Sequence, residues 1–197
     1  HIEKAVKVAK LVESSDNEEV IQQIISNAHK AMGFSQKILH HRCEYDTQLV
    51  NADFDLQSLI GGLKESGSGR ICLYGPSGSG KTAFVHHLGE LLNKPVILKR
   101  ASDILGSYVG QTEKSIAGMF EEAREEGSIL LLDEADSFLQ SRGRAHHSWE
   151  VTQVNELLVQ MESFDGIFFC ATNLMDVLDG AVFRRFDVKV KFGYLRP

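Results

Sequence analysis

Three glycines, a lysine and a threonine stand at a spacing that suits phosphate chemistry. They lie within Gly75-Pro76-Ser77-Gly78-Ser79-Gly80-Lys81-Thr82-Ala83, directly after the apolar run Ile71-Cys72-Leu73-Tyr74 and at the head of a helical stretch. Glycines at 75, 78 and 80 let the backbone turn with its N–H groups inward, and the start of the next helix adds the positive end of its dipole. Such a loop surrounds phosphate oxygens. Lys81 then reaches the β- and γ-phosphates of a nucleotide. Thr82 offers a hydroxyl to Mg²⁺, an ion that keeps several waters and takes few protein ligands. Residues 75–83 are the candidate nucleotide-binding set.

A second constellation follows at Ile129-Leu130-Leu131-Leu132-Asp133-Glu134, an apolar run that ends in two acids. Its length suits a central strand of a parallel sheet covered on both faces, and ligands bind such sheets at the C-terminal ends of the strands. Asp133 is the candidate acid on the Mg²⁺ side. Glu134 is the candidate base for an attacking water, because phosphoryl transfer asks little of a protein beyond positioning and charge stabilisation.

The elements that must position these groups can be read from length and pattern. At 197 residues with 43% hydrophobic content, one main domain with an appendage is expected. A net charge of -6 argues against a broad nucleic-acid or anionic-membrane footprint. Cys43, Cys72 and Cys170 are odd in number and lack paired spacing, as buried thiols of the cytoplasm would be. No stretch reaches the length of a membrane span, and no signal peptide opens the chain. It starts at His1 and closes at Pro197 after a strand-like segment, so a piece of a longer polypeptide is expected.

Apolar stripes predict two amphipathic helices between Ile2 and about Met32, then an irregular connector from Gly33 to about Asp55. A helix is expected over Asp55–Lys64, closed by the flexible turn Glu65–Gly69. Beyond Arg70, strands at 71–74, 96–99, 129–133, 167–170 and 188–192 alternate with helices at 81–92, 113–125 and 150–161. This is the βα rhythm of a parallel sheet. The resulting division is 1–54, an N-terminal helical region and connector, and 55–197, a nucleotide-binding part.

The residues after the two motifs resemble the AAA+ ATPases, especially the branch containing katanin and spastin, over about Arg70 to Pro197. Phe168-Phe169-Cys170-Ala171-Thr172-Asn173 looks like the strand ending in the family's sensor-1 asparagine, which implies that Asn173 contacts the γ-phosphate. Leu178–Asp187 looks like the segment whose two arginines reach a neighbouring subunit's nucleotide, which implies that role for Arg184 and Arg185. Guanidinium suits it, being permanently charged and able to meet phosphate oxygens bidentately. Ser107–Lys114 resembles the first pore loop, with Tyr108, Val109 and Gly110 as the peptide-gripping set, and Ser141–Ser148 falls where a second would lie. The chain stops before the family's small helical lid, so a further sensor is not assigned. Leu49, Val50 and Ile60 are the adenine-pocket candidates. Residues 2–32 also resemble the closing helices of such a lid.

Other features carry no chemistry in this reading. The adjacent pairs His40-His41, His86-His87 and His146-His147 lack i, i+4 ligand spacing, so no metal beyond Mg²⁺ is assigned. Trp149, Val151, Val154, Leu157, Leu158 and Met161 mark a helix face packed on the sheet. The expected fold is a three-layer α/β/α sandwich with a mostly parallel central sheet, of the P-loop NTPase, AAA+ type, preceded by N-terminal helices. The resemblance implies hydrolysis of ATP to ADP and phosphate with Mg²⁺, in a homo-hexameric ring that remodels or translocates a protein. A nucleotide-gated scaffold without threading is the first alternative, and a DNA-directed loader the second.

Overall fold

Each long apolar run serves both faces of one sheet, and that double burial sets the architecture. The computed structural model describes residues 45–47, 49–106, 110–137, 148–173 and 180–194. Its strands are β1 (Gly69–Tyr74), β2 (Val96–Arg100), β3 (Ile129–Asp133), β4 (Ile167–Thr172) and β5 (Val188–Lys191). Its helices are α1 (Leu56–Ser66), α2 (Lys81–Leu92), α3 (Ala101–Ile104), α4 (Gln111–Glu126), α5 (Ser148–Ser163) and α6 (Gly180–Phe183), with a 3-10 turn at Ala135–Ser137. The strands form one sheet in the order β2-β3-β4-β1-β5, all neighbours parallel.

Strand alternation sorts the side chains. Cys72, Leu130, Leu132, Phe168 and Cys170 pack on one face with Ile116, Met119 and Phe120 of α4 and with Leu157 and Met161 of α5. Ile71, Leu73, Ile129, Leu131, Phe169 and Ala171 pack on the other with Leu59 and Leu63 of α1 and with Phe84 and Leu88 of α2. Burying each such Leu or Phe is worth about 1.5–3 kcal/mol, so the middle strands are the most firmly held part of the fold. The α/β sandwich expected from the sequence is what forms.

Boundaries shift for local reasons. Asp55 lies outside α1 as its N-cap, its carboxylate accepting from the N–H groups of Gln57 and Ser58, both at 3.2 Å. Gly69, expected in a turn, opens β1 opposite Ile167. The helix expected from Glu113 begins at Gln111, because left-handed Gly110 ends the preceding loop there. Helix α3 and the 3-10 turn are too short to leave a periodicity. The expected connector contributes a sheet edge: Ala52 bridges Phe192 antiparallel, and Lys191 N–H donates to the Asp53 carboxylate at 2.7 Å. The expected N-terminal helices over 2–32 lie outside the described residues, as do the side chains of Trp149 and Val151. Val154, Leu157, Leu158 and Met161 are buried as expected.

The strand order positions the site. From β1 in the sheet's interior the chain runs to the far edge at β2 and returns through β3 and β4. The C-terminal ends of β1, β3 and β4 therefore lie side by side, where ligands bind in sheets of this kind.

Beyond β4 an ion pair to Arg70 helps to pin the chain against β1. Arg70 at the start of β1 meets the Asp187 carboxylate bidentately, Nη2 to Oδ1 at 2.7 Å and Nε to Oδ2 at 3.0 Å, while Asp187 N–H donates to the Arg70 carbonyl at 2.9 Å. Hydrogen bonding to Arg70 holds the Asp187 carboxyl below its ordinary 3.8. Its contribution to stability is therefore present above pH 4 and disappears as acid protonates the native carboxylate. Both side chains are partly exposed, so the contribution is modest. Asp187→Asn should lower the melting temperature by roughly 1–3 °C at pH 7. That deficit should shrink as the pH of the melts is lowered progressively below 3.8; a deficit independent of pH would show that the ion pair contributes nothing.

Candidate active site

The chain leaves β1 through Gly75, where no other residue fits. Its φ is +143°, and a Cβ there would lie 1.9 Å from the Phe192 carbonyl oxygen. The loop ends at Gly80, whose φ of +92° turns the chain into α2. Gly80 has no side chain to cap that helix, so its first-turn N–H groups face the loop with the positive end of the dipole. A cavity of about 290 Å³ opens here, lined by the run from Ser77 to Ala83 and by Asp133, Glu134 and Asn173. Three separate stretches of sequence thus meet at one concavity.

Lys81 is the centre of the arrangement. Its Nζ donates to the carbonyls of Gly75 at 2.7 Å and Pro76 at 2.9 Å and to Asn173 Oδ1 at 3.0 Å. Burial pulls the ammonium below its ordinary 10.5, and the carboxylates of Asp133 and Asp136 oppose that shift. The cation is kept, partly desolvated, beside the cavity. An anion entering there meets a charge that water screens poorly.

Thr82 Oγ1 donates to Asp133 Oδ2 at 2.8 Å, and the other oxygen of Asp133 accepts the Glu134 N–H at 2.8 Å. A hydroxyl and a carboxylate held this close are a donor set that a small hard cation accepts, with its remaining positions filled by water and phosphate oxygens. Glu134 adopts a φ of +54° at the strand end, one of two such non-glycine residues among those described. That conformation costs a glutamate about 1–3 kcal/mol, and strain of this kind gathers at functional sites. Its side chain is exposed at the cavity wall.

The site also holds an orphan. Ser79 is 1% exposed, yet its Oγ has no hydrogen-bond partner among the described residues. A buried hydroxyl left unmade costs about 1–3 kcal/mol, a cost that a phosphate oxygen in the loop would remove. Together with the helix start and the Lys81 ammonium, Ser79 makes the loop a fit for the phosphates of a nucleotide.

The remaining sequence candidates separate from this cluster. Arg184 and Arg185 are exposed just past α6 and do not line the cavity; Arg185 pairs with Glu162 at the end of α5. Gly110 caps α4, while Tyr108 and Val109 lie outside the described residues, as do 141–147 of the second expected loop. None of the adenine-pocket candidates lines the cavity: Leu49 is 60% exposed, Val50 packs at the edge of the apolar cluster, and Ile60 is buried in the core on α1. Tyr45 was not foreseen; its hydroxyl reaches the Gly80 carbonyl at 3.5 Å and its ring lies against Phe84 and His87. Asp136 was missed as well, although it is the third acid of Asp133-Glu134-Ala135-Asp136. Its Oδ1 accepts from both Thr172 Oγ1 and the Asn173 N–H. Among the described residues no group of three or more His, Cys, Asp or Glu side chains is placed to hold a metal.

Comparison with known proteins agrees with this geometry. Residues 71–194 match the model of the ATPase family associated with various cellular activities (AAA). The chain is 32% identical over 127 residues to the ATP-dependent zinc metalloprotease FtsH of Ureaplasma parvum, covering 61% of this chain and 18% of that protein. It is 34% identical over 139 residues to the vesicular-fusion protein SEC18 of Saccharomyces cerevisiae, covering 61% and 18%. It is 35% identical over 146 residues to the proteasome-associated ATPase of Thermobifida fusca, covering 61% and 25%. The chain thus spans only a quarter or less of each of these relatives. A match over most of the sheet domain, with the loop, the paired acids and the asparagine converging on one cavity, leads to one conclusion: the chain belongs to the ATPase family associated with various cellular activities (AAA), a family of ATP-hydrolysing enzymes.

Proposed function

We propose that this chain binds ATP at the Ser77–Ala83 loop and hydrolyses it to ADP and phosphate, as the nucleotide-binding part of a homo-hexameric ring that remodels a protein. The observation that carries the reading is the convergence of Lys81, Thr82, Asp133, Glu134 and Asn173 on one cavity. Lys81 holds the β- and γ-phosphates, and Asn173, already bonded to its ammonium, contacts the γ-phosphate. Glu134 takes the proton of the attacking water, whose oxygen bonds to the γ-phosphorus as the bond to the β-bridging oxygen breaks. Thr82 and Asp133 hold Mg²⁺, which when bound neutralises phosphate charge. The loop backbone of Gly75, Pro76, Ser77, Gly78 and Gly80 and the first turn through Ala83 enclose the phosphates.

Further readings belong to the same proposal. Arg184 and Arg185 act on the nucleotide of a neighbouring subunit, which their exposure away from their own cavity supports. Tyr108, Val109 and Gly110 grip a polypeptide; relatives named for proteolysis, vesicular fusion and proteasome association favour protein-directed work. The segments 107–114, 168–173 and 178–187 favour the katanin and spastin branch; the boundary read at 54/55 moves toward the N-terminus, since Tyr45, Ala52 and Asp53 bond with residues of 55–197. Two buried free thiols, Cys72 and Cys170, suit the cytoplasm, and among the described residues no helix is long and apolar enough to cross a membrane.

Glu134→Gln should retain ATP affinity within about threefold while turnover falls by at least about 100-fold, because the amide keeps the shape but takes no proton. Parental hydrolysis by that variant would remove Glu134 as the base. For the arginines, subunits carrying Arg184→Ala and Arg185→Ala should be inactive alone yet recover activity when mixed with Glu134→Gln subunits, whose arginines complete the intact sites. Arginine fingers contribute about 10³–10⁵ in rate in other nucleotide hydrolases, so recovery should be plain in a phosphate-release assay. No recovery in verified mixed assemblies would count against action between subunits.

A further inference from the structure

Asp136 occupies the 3-10 turn that directly continues from Glu134, and its carboxylate faces the end of a different strand. Pairing of β4 with β1 runs as far as Thr172, and with β3 only as far as Cys170. Beyond that point the sheet supplies no acceptor for the Asn173 N–H, and Asp136 Oδ1 takes that place at 3.0 Å. The same oxygen accepts from the hydroxyl of Thr172, a residue only 1% exposed, whose buried hydroxyl needs a partner. An ionised acceptor makes both bonds stronger than neutral ones. One carboxylate therefore grips two consecutive residues of the β4 end, and the second of them carries the amide that meets Lys81.

We propose that Asp136 is a positioning residue for hydrolysis: from the turn that carries Glu134 it fixes Thr172 and the Asn173 backbone, and so sets the Asn173 amide relative to Lys81 and the Glu134 carboxylate. The proposal rests on the reading of Asn173 and Glu134 given above. The two groups that handle the γ-phosphate and the water sit on different strands, β4 and β3, that are not bonded to each other at their last residues. Asp136 joins those two ends. Without that link the strand ends keep their folds but lose their mutual register, and a displacement of about 1 Å between reacting groups can cost about 100-fold in rate.

The test compares the intact protein with Asp136→Ala, Asp136→Asn and Thr172→Val in two measurements. Amide hydrogen exchange without nucleotide should show Asn173 deprotected in Asp136→Ala and protected in Asp136→Asn, whose Oδ1 still accepts both bonds. Steady-state kinetics should show kcat reduced by about 10- to 100-fold in Asp136→Ala with KM within about threefold, most of the rate restored in Asp136→Asn, and a smaller loss in Thr172→Val. Adding Asp136→Ala to Asn173→Ala should cost no more than Asn173→Ala alone. Parental kcat in Asp136→Ala, no rescue by Asp136→Asn, or additive losses in the double variant would each overturn the proposal. Should Asp136→Ala fail to fold, Asp136→Asn and Thr172→Val decide it, since an unprotected Asn173 amide and slow turnover in the former, or parental kcat in the latter, would contradict it. A parental rate in Asn173→Ala would remove the underlying reading along with the proposal, whereas slow Asn173→Ala beside a fully active Asp136→Ala removes the proposal alone.

Discussion

The ammonium of Lys81 donates at 2.7, 2.9 and 3.0 Å to the Gly75 carbonyl, the Pro76 carbonyl and Asn173 Oδ1, and these three bonds tie the exit of β1 to the end of β4. A desolvated cation is costly unless it is hydrogen-bonded, and each bond to a charged group returns about 1.5–3 kcal/mol. The acceptors are therefore as necessary to the lysine as the lysine is to them. Gly75 must approach Phe192 closely for its carbonyl to lie where it does, and the strand order must bring β4 beside β1. The middle of the sheet, buried on both faces, is the platform on which that geometry rests.

Three departures from ordinary residue behaviour lie around the cavity that Lys81 lines. Glu134 has a left-handed backbone, Ser79 a buried hydroxyl without a described partner, and Lys81 an ammonium drawn below its usual range. Each raises the free energy of the empty site, and for two of them an anion would lower it again, by offsetting the desolvation of the lysine ammonium and giving the serine hydroxyl an acceptor. Elsewhere among the described residues, caps, apolar alternation and helix stops agree with one another, as at Asp55 and Gly67 around α1. Stability from the consistent part supports strain in the functional part.

How much was legible in the sequence follows from which signals are local. The loop from Gly75 to Thr82 and the acids after Ile129–Leu132 carry their chemistry in contiguous residues, so both could be found and assigned to strand ends directly. The two-faced sheet was legible because its runs are apolar throughout. Asn173 needed the family resemblance, since a lone asparagine after a strand has no signal of its own. Asp136 stayed hidden because its partners are 36 and 37 positions away and only strand order brings them together. The antiparallel edge at Ala52 and the seat of Tyr45 above Gly80 were invisible for the same reason, their irregular neighbourhood lacking any periodicity. Ile60 had no decisive signal as an adenine candidate, because an apolar residue on a short helix reads equally well as core, and it packs in the apolar cluster on α1.

The central claim is that the Lys81 ammonium is the cation on which nucleotide phosphates are held. Calorimetric titration of Mg·ATP into the intact protein and its Lys81→Ala variant tests this most directly, with a thermal melt to establish that the variant is folded. Loss of a desolvated charge-assisted contact predicts affinity weakened on the order of 100-fold or more, with a cooperative melt retained. A folded Lys81→Ala variant that binds Mg·ATP with parental affinity would contradict the account.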